Sequence, residues 1–345
     1  MKKTYVAAIA ILAAFVIVLA AAVALLQYSP SQSSTGKLAV MGTDPPVAAA
    51  GVSDATVAYS SVMAHTSGSD MASGWTQVSG SGSMDLMASQ GTAQTLAASQ
   101  VSAATYDAFR FNVDSCKVVY QGQSYAATVA ASTLTAQSQS KVQVAANSSA
   151  AAVVDLRTFI ENTGGSSSPQ FVFSASAMAT SVPPETTATL NLKLGATVDL
   201  SGQAWWSSFV TSTSTNVNIG ATLSSGSLSL NLQNSGGASA EVQEVIITPV
   251  SAYSYTSASL PPSLSGSAVF TVSGSGSVQQ SSSIQGSALL NGGATVASGS
   301  STTLNYNGNI AMNSNIVASG VVSGQQYVIT CIGANTYAST TVVAS

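Results

Sequence analysis

His65 is the only histidine in the chain, and so the only side chain whose ordinary pKa lies near neutrality apart from perturbed thiols. A Ser-His-Asp triad would have to use it as the base, and would also need a buried acid to orient the imidazole. His65 is expected at a strand end, ahead of the loop Thr66-Ser67-Gly68-Ser69-Asp70, where a packed histidine is the more economical reading. The 12 acidic residues are dispersed, and only Glu241 and Glu244 follow Ser201. No two of them are spaced as an evident acid–base pair for glycoside hydrolysis. Asp44, just before Pro45-Pro46, reads as a turn-former that hydrogen-bonds its own backbone. Phosphate loops, dinucleotide fingerprints and zinc-ligand spacings are missing from the sequence. The Gly-Ser-Gly-Ser runs at 80–83 and 274–277 lack the lysine and the helix that a phosphate cradle needs. Carboxylates concentrate in no loop, which leaves calcium without a ligand set. The expectation is a protein that is not an enzyme and carries no cofactor and no metal.

Two further residue types carry chemistry of another kind. Cys116 and Cys331 are the only cysteines, and in an exported chain they permit one disulfide joining the two halves. The alternative is a pair of buried thiols packed as small hydrophobes. Asn147-Ser148-Ser149 is an N-x-S/T acceptor in a loop-like stretch, open to glycosylation at Asn147.

These residues must be positioned by a chain of unusual composition. Hydrophobic residues make up 46% and charged residues only 6%, against about 25% charged in an ordinary soluble domain. With a net charge of −4 and no basic stripe, nucleic acid is excluded as a partner. Lys193 is the last basic residue, so the final part of the chain has no cation. So few titratable groups suit an exposed life in a harsh, acidic medium.

Val6 to Leu26 runs without a charge or a proline. At about 1.5 Å per helical residue it spans roughly 30 Å, the depth of a bilayer's hydrocarbon core. Lys2 and Lys3 place its start in the cytoplasm and the rest of the chain outside. The run is longer than a secretory h-region and ends in Leu25-Leu26-Gln27-Tyr28 rather than in small residues, which favours a retained anchor over a cleaved signal.

Beyond it the period is two. Phe109, Phe111 and Val113 alternate with Arg110, Asn112 and Asp114, and Leu228, Leu230 and Leu232 alternate with Ser229 and Asn231. Strands are expected at Lys37–Met41, Thr56–Met63, Tyr125–Val129, Gln170–Phe173, Ala268–Val272, Thr302–Tyr306, Gln326–Ile332 and Thr336–Ala344, with Gly, Ser and Asn between them. Ala152–Glu161 is expected to hold a strand and then a helical turn. Leu190, Leu192 and Leu194 read as a further strand, and Trp205-Trp206 as a strand at a domain seam. After Asn234-Ser235-Gly236-Gly237 the chain is expected to return as a hairpin through Glu241–Val250. The fold class is all-β: two β-sandwich domains in tandem behind one N-terminal transmembrane helix. Residues 1–27 are the signal-anchor, 28–35 a polar linker, 36–200 the first domain and 201–345 the second.

Several short motifs follow one another in the first domain: Gly36-Lys-Leu-Ala-Val-Met-Gly-Thr-Asp44-Pro45-Pro46; Val57–His65 with Gly74-Trp75; Met84-Asp85-Leu86; Tyr106-Asp107-Ala108-Phe109-Arg110; and Val154-Asp155-Leu156-Arg157. Together they resemble the domain-of-unknown-function family 4382, over about Gly36 to Glu185. Ala104 stands where that family usually has glycine. The resemblance implies a β-rich exported domain and carries over no catalytic residue. From about Asn216 to Ser345 the pattern resembles the Ig-like sandwiches of archaeal pilins, archaellins and adhesion-type domains.

The function expected from the sequence is that of a membrane-anchored cell-surface protein with a structural or adhesive role in a prokaryotic, archaeal-type envelope. Its partners would be the membrane, other surface proteins or copies of itself, and surface glycans. A second reading is a filament subunit, released by cleavage and donating Tyr28–Thr35 joined to Lys37–Met41, or the terminal Tyr337–Ser345, to its neighbour. A third is a secreted ligand-binding module.

Overall fold

The computed structural model describes residues 34–44, 46–49, 51–89, 91–162, 168–252, 268–272, 277–281, 293–312, 320–333 and 336–345. Val6–Leu26, its expected membrane helix and nearly all of the 28–35 linker lie outside these residues. Among the described residues, no helix is long and apolar enough to cross a membrane.

The chain is mostly β, in several sheets. A 12-stranded sheet is built from β1 (Thr35–Thr43), β2 (Val47–Ala48), β3 (Val52–Thr66), β4 (Trp75–Ser79), β5 (Gly82–Asp85), β6 (Thr92–Ser102), β7 (Thr105–Tyr120), β8 (Gln123–Val129), β9 (Thr133–Gln143), β10 (Ser149–Asn162), β11 (Phe171–Ser181) and β12 (Thr197–Asp199). Its main path runs β12-β6-β1-β10-β11-β8-β7-β3-β4. β1 lies antiparallel to β6 and parallel to β10, and β9 bridges β7 and β11. Leu38, Val40, Tyr106, Phe109, Phe111, Val154, Leu156 and Phe173 meet in one apolar core on the inner face. Each such side chain, fully buried, contributes roughly 1.5–3 kcal/mol before entropic costs.

The second group comprises β13 (Val217–Ser224), β14 (Ser227–Asn234), β15 (Ala240–Val242), β16 (Glu244–Pro249), β17 (Ala268–Val272), β18 (Val278–Ser281), β19 (Ala294–Val296), β20 (Ser301–Asn307), β21 (Gln326–Gly333) and β22 (Thr336–Val343). They form sheets β13-β14-β20, β15-β19 and β18-β17-β16-β21-β22. Leu228, Leu230 and Leu232 of β14 face Val245, Ile247, Phe270, Tyr327 and Ile329 in a second core. The eight strand ranges expected from the sequence coincide with parts of β1, β3, β8, β11, β17, β20, β21 and β22, with Gln170 and Ala344 each one residue outside β11 and β22.

Four local expectations are corrected. Ala152–Glu161 is strand throughout, because every residue of β10 from Ala152 to Asn162 has a register partner in β11. Leu190–Leu194 forms turns: Leu192 is buried, Leu194 is exposed, and no strand pairs with them. After a short α1 (Pro184–Thr187), Trp205-Trp206 lies in a helix, α2 (Ala204–Thr213), not a strand. There Trp205, Trp206, Phe209 and Thr213 recur at three- and four-residue intervals, the helical period. Finally, β14 is flanked by β13 and β20, while Glu241–Val250 splits into β15 and β16 in two other sheets. The Asn234 turn therefore closes no hairpin. Asn234 is instead wholly buried, its amide donating to the carbonyls of Ala238 and Val296.

Candidate functional site

β3 and β7 pair along most of their length, but the register slips between Tyr106 and Ala108 and between His65 and Thr66. This bulge takes Asp107 out of the alternation and turns its carboxylate toward His65. His65 Nδ1 lies 2.7 Å from Asp107 Oδ1, and Nε2 lies 3.1 Å from the Asp70 carbonyl. Both partners are acceptors, so the doubly protonated imidazole, donating from both ring nitrogens, is the form this buried geometry satisfies. Burial alone would lower its pKa. The Asp107 carboxylate, with carbonyls of Asp70 and Ser73, outweighs burial and raises it. Asp107 is the converse: burial would raise it, but His65, the Ser67 hydroxyl and Lys141 hold it below the usual carboxylate range.

The loop that the sequence places after His65 folds back over it. Thr66 N–H donates to Gly74 O (3.0 Å) and Ser73 N–H to Asp70 O (2.9 Å). Gly74 has φ +76, and a Cβ there would sit 2.4 Å from Ser69 Cβ and 3.2 Å from His65 Nε2, so only glycine closes this lid. Trp75 follows, its ring centroid 5.0 Å from that of His65, with its indole N–H donating to Met71 O. Arg110 lies over the indole with its guanidinium carbon 3.9 Å from the ring centroid. His65 and Trp75 of one motif and Asp107 and Arg110 of another thus form one cluster. It is not the geometry of a Ser-His-Asp triad, because Nε2 faces the Asp70 carbonyl at 3.1 Å where a triad would place a serine hydroxyl.

Asp44 is not the surface turn-former expected. It is wholly buried, and the Thr158 hydroxyl, 114 residues on, donates to its Oδ2 while Oδ1 has no partner. Burial pushes this carboxyl well above its ordinary range, with the nearby Asp155 adding repulsion and the Thr158 hydrogen bonds offsetting part of the rise. Neighbouring Asp155 accepts from Arg157 Nε at 3.0 Å. Burial nevertheless raises Asp155 more than the guanidinium lowers it.

Arg157 does more than pair. Its Nη1 donates to Thr213 O (2.7 Å) and its Nη2 to Thr213 Oγ1 (2.6 Å), clasping the C-terminal end of α2, where a cation suits the helix dipole. Every second residue of β10 continues this outer face. Ala151 and Val153 pack with Met41, Val182, Leu192, Leu200 and the two tryptophans, so residues 201–213, expected at the head of the second domain, pack on the first sheet. Trp205 and Trp206 are half-buried here, as packing at a seam requires. Phe159 packs with Ile246, Val269, Ile332 and Tyr337 of the second group.

Cys116 and Cys331 form no disulfide. Each is a free, buried thiol, one in the first core and one in the second, and burial first, with Asp44 assisting at Cys116, pushes both up to about 12. Such thiols are protonated and unreactive. Asn147 is exposed at the turn between β9 and β10, with φ +57 and its N–H donating to Thr35 O. Among the described residues no three His, Cys, Asp or Glu side chains come together as a metal site. The sequence named His65 but missed Asp107, whose bulge leaves no local signal, and the Arg157–Thr213 clasp, whose partners lie 56 residues apart.

Residues 35–166 match the family described as Domain of unknown function (DUF4382). The resemblance reached from the motifs is borne out over that stretch. No curated protein matches the chain, and no named relative stands behind the Ig-like resemblance of the second half. Among solved structures, the chain is similar to a point mutant of Salmonella alpha-2-macroglobulin at 10% identity, over 85% of this chain and 21% of that one, with a TM-score of 0.21. The chain thus spans about a fifth of that protein's length, and at that score the likeness carries no argument. The family relation of residues 35–166 brings a shared domain with no activity attached to it.

Proposed function

We propose that the chain is a non-enzymatic cell-surface protein, held to a cytoplasmic membrane by Val6–Leu26, that carries two tandem β-sandwich units outside with a structural or adhesive role in a prokaryotic envelope. The observation that carries this reading is the outer face of β10. Through Val153, Arg157 and Phe159 one strand grips the α2 segment and the second β group at once, the construction of a stiff spacer. The single histidine, with both nitrogens consumed, supports the non-enzymatic part. Asn147 on its exposed turn is the position for a glycan on such a protein.

The filament reading draws less support. Both candidate donor strands are paired within their own chain: Lys37–Met41 between β6 and β10, and Thr336–Val343 along β21. The deciding experiment is N-terminal sequencing with intact-mass measurement of the protein recovered from native cells. Retention of Lys2 in the membrane fraction is expected, with a mass increment at Asn147. A mature start near Gln27 in released fibres would replace the anchor with the filament subunit.

A further inference from the structure

We propose that Arg110, seated on Trp75 on the outer face of the first sheet, binds the carboxylate or sulfate of an acidic saccharide. Arg110 is half-buried with its guanidinium carbon 3.9 Å from the indole centroid, yet makes no hydrogen bond or ion pair among the described residues. Its Nε is shielded from solvent without an acceptor, which leaves the Nη fork as the part that meets a ligand. Asp107, three residues before Arg110 on β7, is already committed to His65 at 2.7 Å. With no internal anion to claim it, a pre-oriented guanidinium fork fits a carboxylate or sulfate edge-on through two parallel N–H bonds.

The surroundings select the rest of the ligand. The register places Gln77, Met63, Arg110 and Thr135 in one row across β4, β3, β7 and β9. The next row on the same face holds Ser61, Asn112 and Thr133, with Asn112 donating to Ser61 Oγ at 2.8 Å. These are neutral hydroxyls and amides around a single cation, the donor–acceptor set that a hydroxylated ring bearing one negative charge would use. Beyond the Trp75 ring that Arg110 covers, a hydrophobic peptide would find only Met63 in these rows, and a polyphosphate would find one cation where it needs several. His65, Asp107 and the Gly74 lid act behind Trp75 as positioning residues that fix the indole's tilt.

This inference names a ligand for the adhesive role proposed above, but the binding is measured on the purified protein and stands or falls apart from membrane anchoring. The test is a titration of the full chain in detergent micelles with glucuronate, galactose 6-sulfate, glucose and inorganic sulfate, followed by calorimetry and by the indole N–H resonance of Trp75. The two acidic sugars are expected to bind and to shift that resonance, and glucose is not. Arg110→Gln is expected to weaken binding by about tenfold or more, the loss of a charge-assisted bidentate contact. Arg110→Lys, which keeps the charge and the folded stem but not the fork, is expected to weaken it as well. Glucose binding as tightly as glucuronate, or unchanged affinity in either variant, would overturn the proposal. Inorganic sulfate binding as tightly as the sulfated sugar would overturn its saccharide part and leave a simple anion site.

Discussion

The two β groups are held together by different means. The first contains most of the ionisable side chains held by named partners: Asp44 buried against Thr158, Asp155 paired with Arg157, His65 with Asp107, and Arg110 on Trp75. The second, from Val217 onward, has no lysine or arginine at all, and its core is aliphatic side chains with Phe270 and Tyr327. Apolar burial is non-directional and gives a body without preferred chemistry. Paired charge is directional and fixes particular side chains at particular distances. The difference teaches that directional contacts concentrate in the first group while the second is held mainly by apolar burial, and that the join between them borrows from both. Arg157 supplies a polar clasp, and Phe159 supplies an apolar contact.

The largest effects are expected at that join. Phe159→Ala removes a ring that is only 4% exposed, and should cost about 3–5 kcal/mol. Its thermal transition should broaden or divide, as the second group loses its anchor. Arg157→Gln leaves Asp155 buried without its cation and should also cost about 3–5 kcal/mol. Hydrogen exchange should then accelerate in α2 and leave β14 untouched. Equal acceleration in both would erase the distinction between the groups.

Smaller effects separate the two buried acid sites of the first group by their pH dependence. His65 has a raised pKa when folded, so its contribution is complete below about 6.5 and is lost as the pH climbs through the folded value. Asp107 is lowered, so its share is present above about 3.9 and is lost as the pH falls through its folded value. The pair therefore stabilises most between those limits. His65→Gln should cost about 1–3 kcal/mol there and less at higher pH, read as urea midpoints across the range. Asp44 is raised, so its contribution holds below about 3.9 and decays as the pH rises toward the folded value. Asp44→Asn should flatten that decline, leaving the variant relatively more stable at neutral pH than in acid. A steeper decline in the variant would show that the carboxylate is compensated after all. The smallest effect concerns the thiols: reductant should leave the melting temperature unchanged, and two thiols should titrate after denaturation, since Cys116 and Cys331 sit in separate cores.

Much of the strand content was legible because alternation is a local property, as at Leu228–Leu232 and Phe109–Val113. What failed had non-local causes. Leu190–Leu194 alternates as a strand would, but has no neighbouring backbone to pair with, and pairing decides. Trp205-Trp206 carried a helical period that only becomes visible when Phe209 and Thr213 are counted with them. Asp44 looked like a turn residue because Pro45-Pro46 follows it, whereas its partner Thr158 is brought in by the parallel pairing of β1 with β10. His65 was visible as a singular residue, but its partner depended on a bulge in another strand.

Calorimetry of the intact chain beside the Phe159→Ala/Arg157→Gln double variant tests most directly whether β10 locks the two groups into one body. The account predicts a single cooperative transition for the native protein and two separated transitions for the variant, with the second group melting independently. Two transitions already present in the native protein, or one undivided transition in the variant, would contradict it.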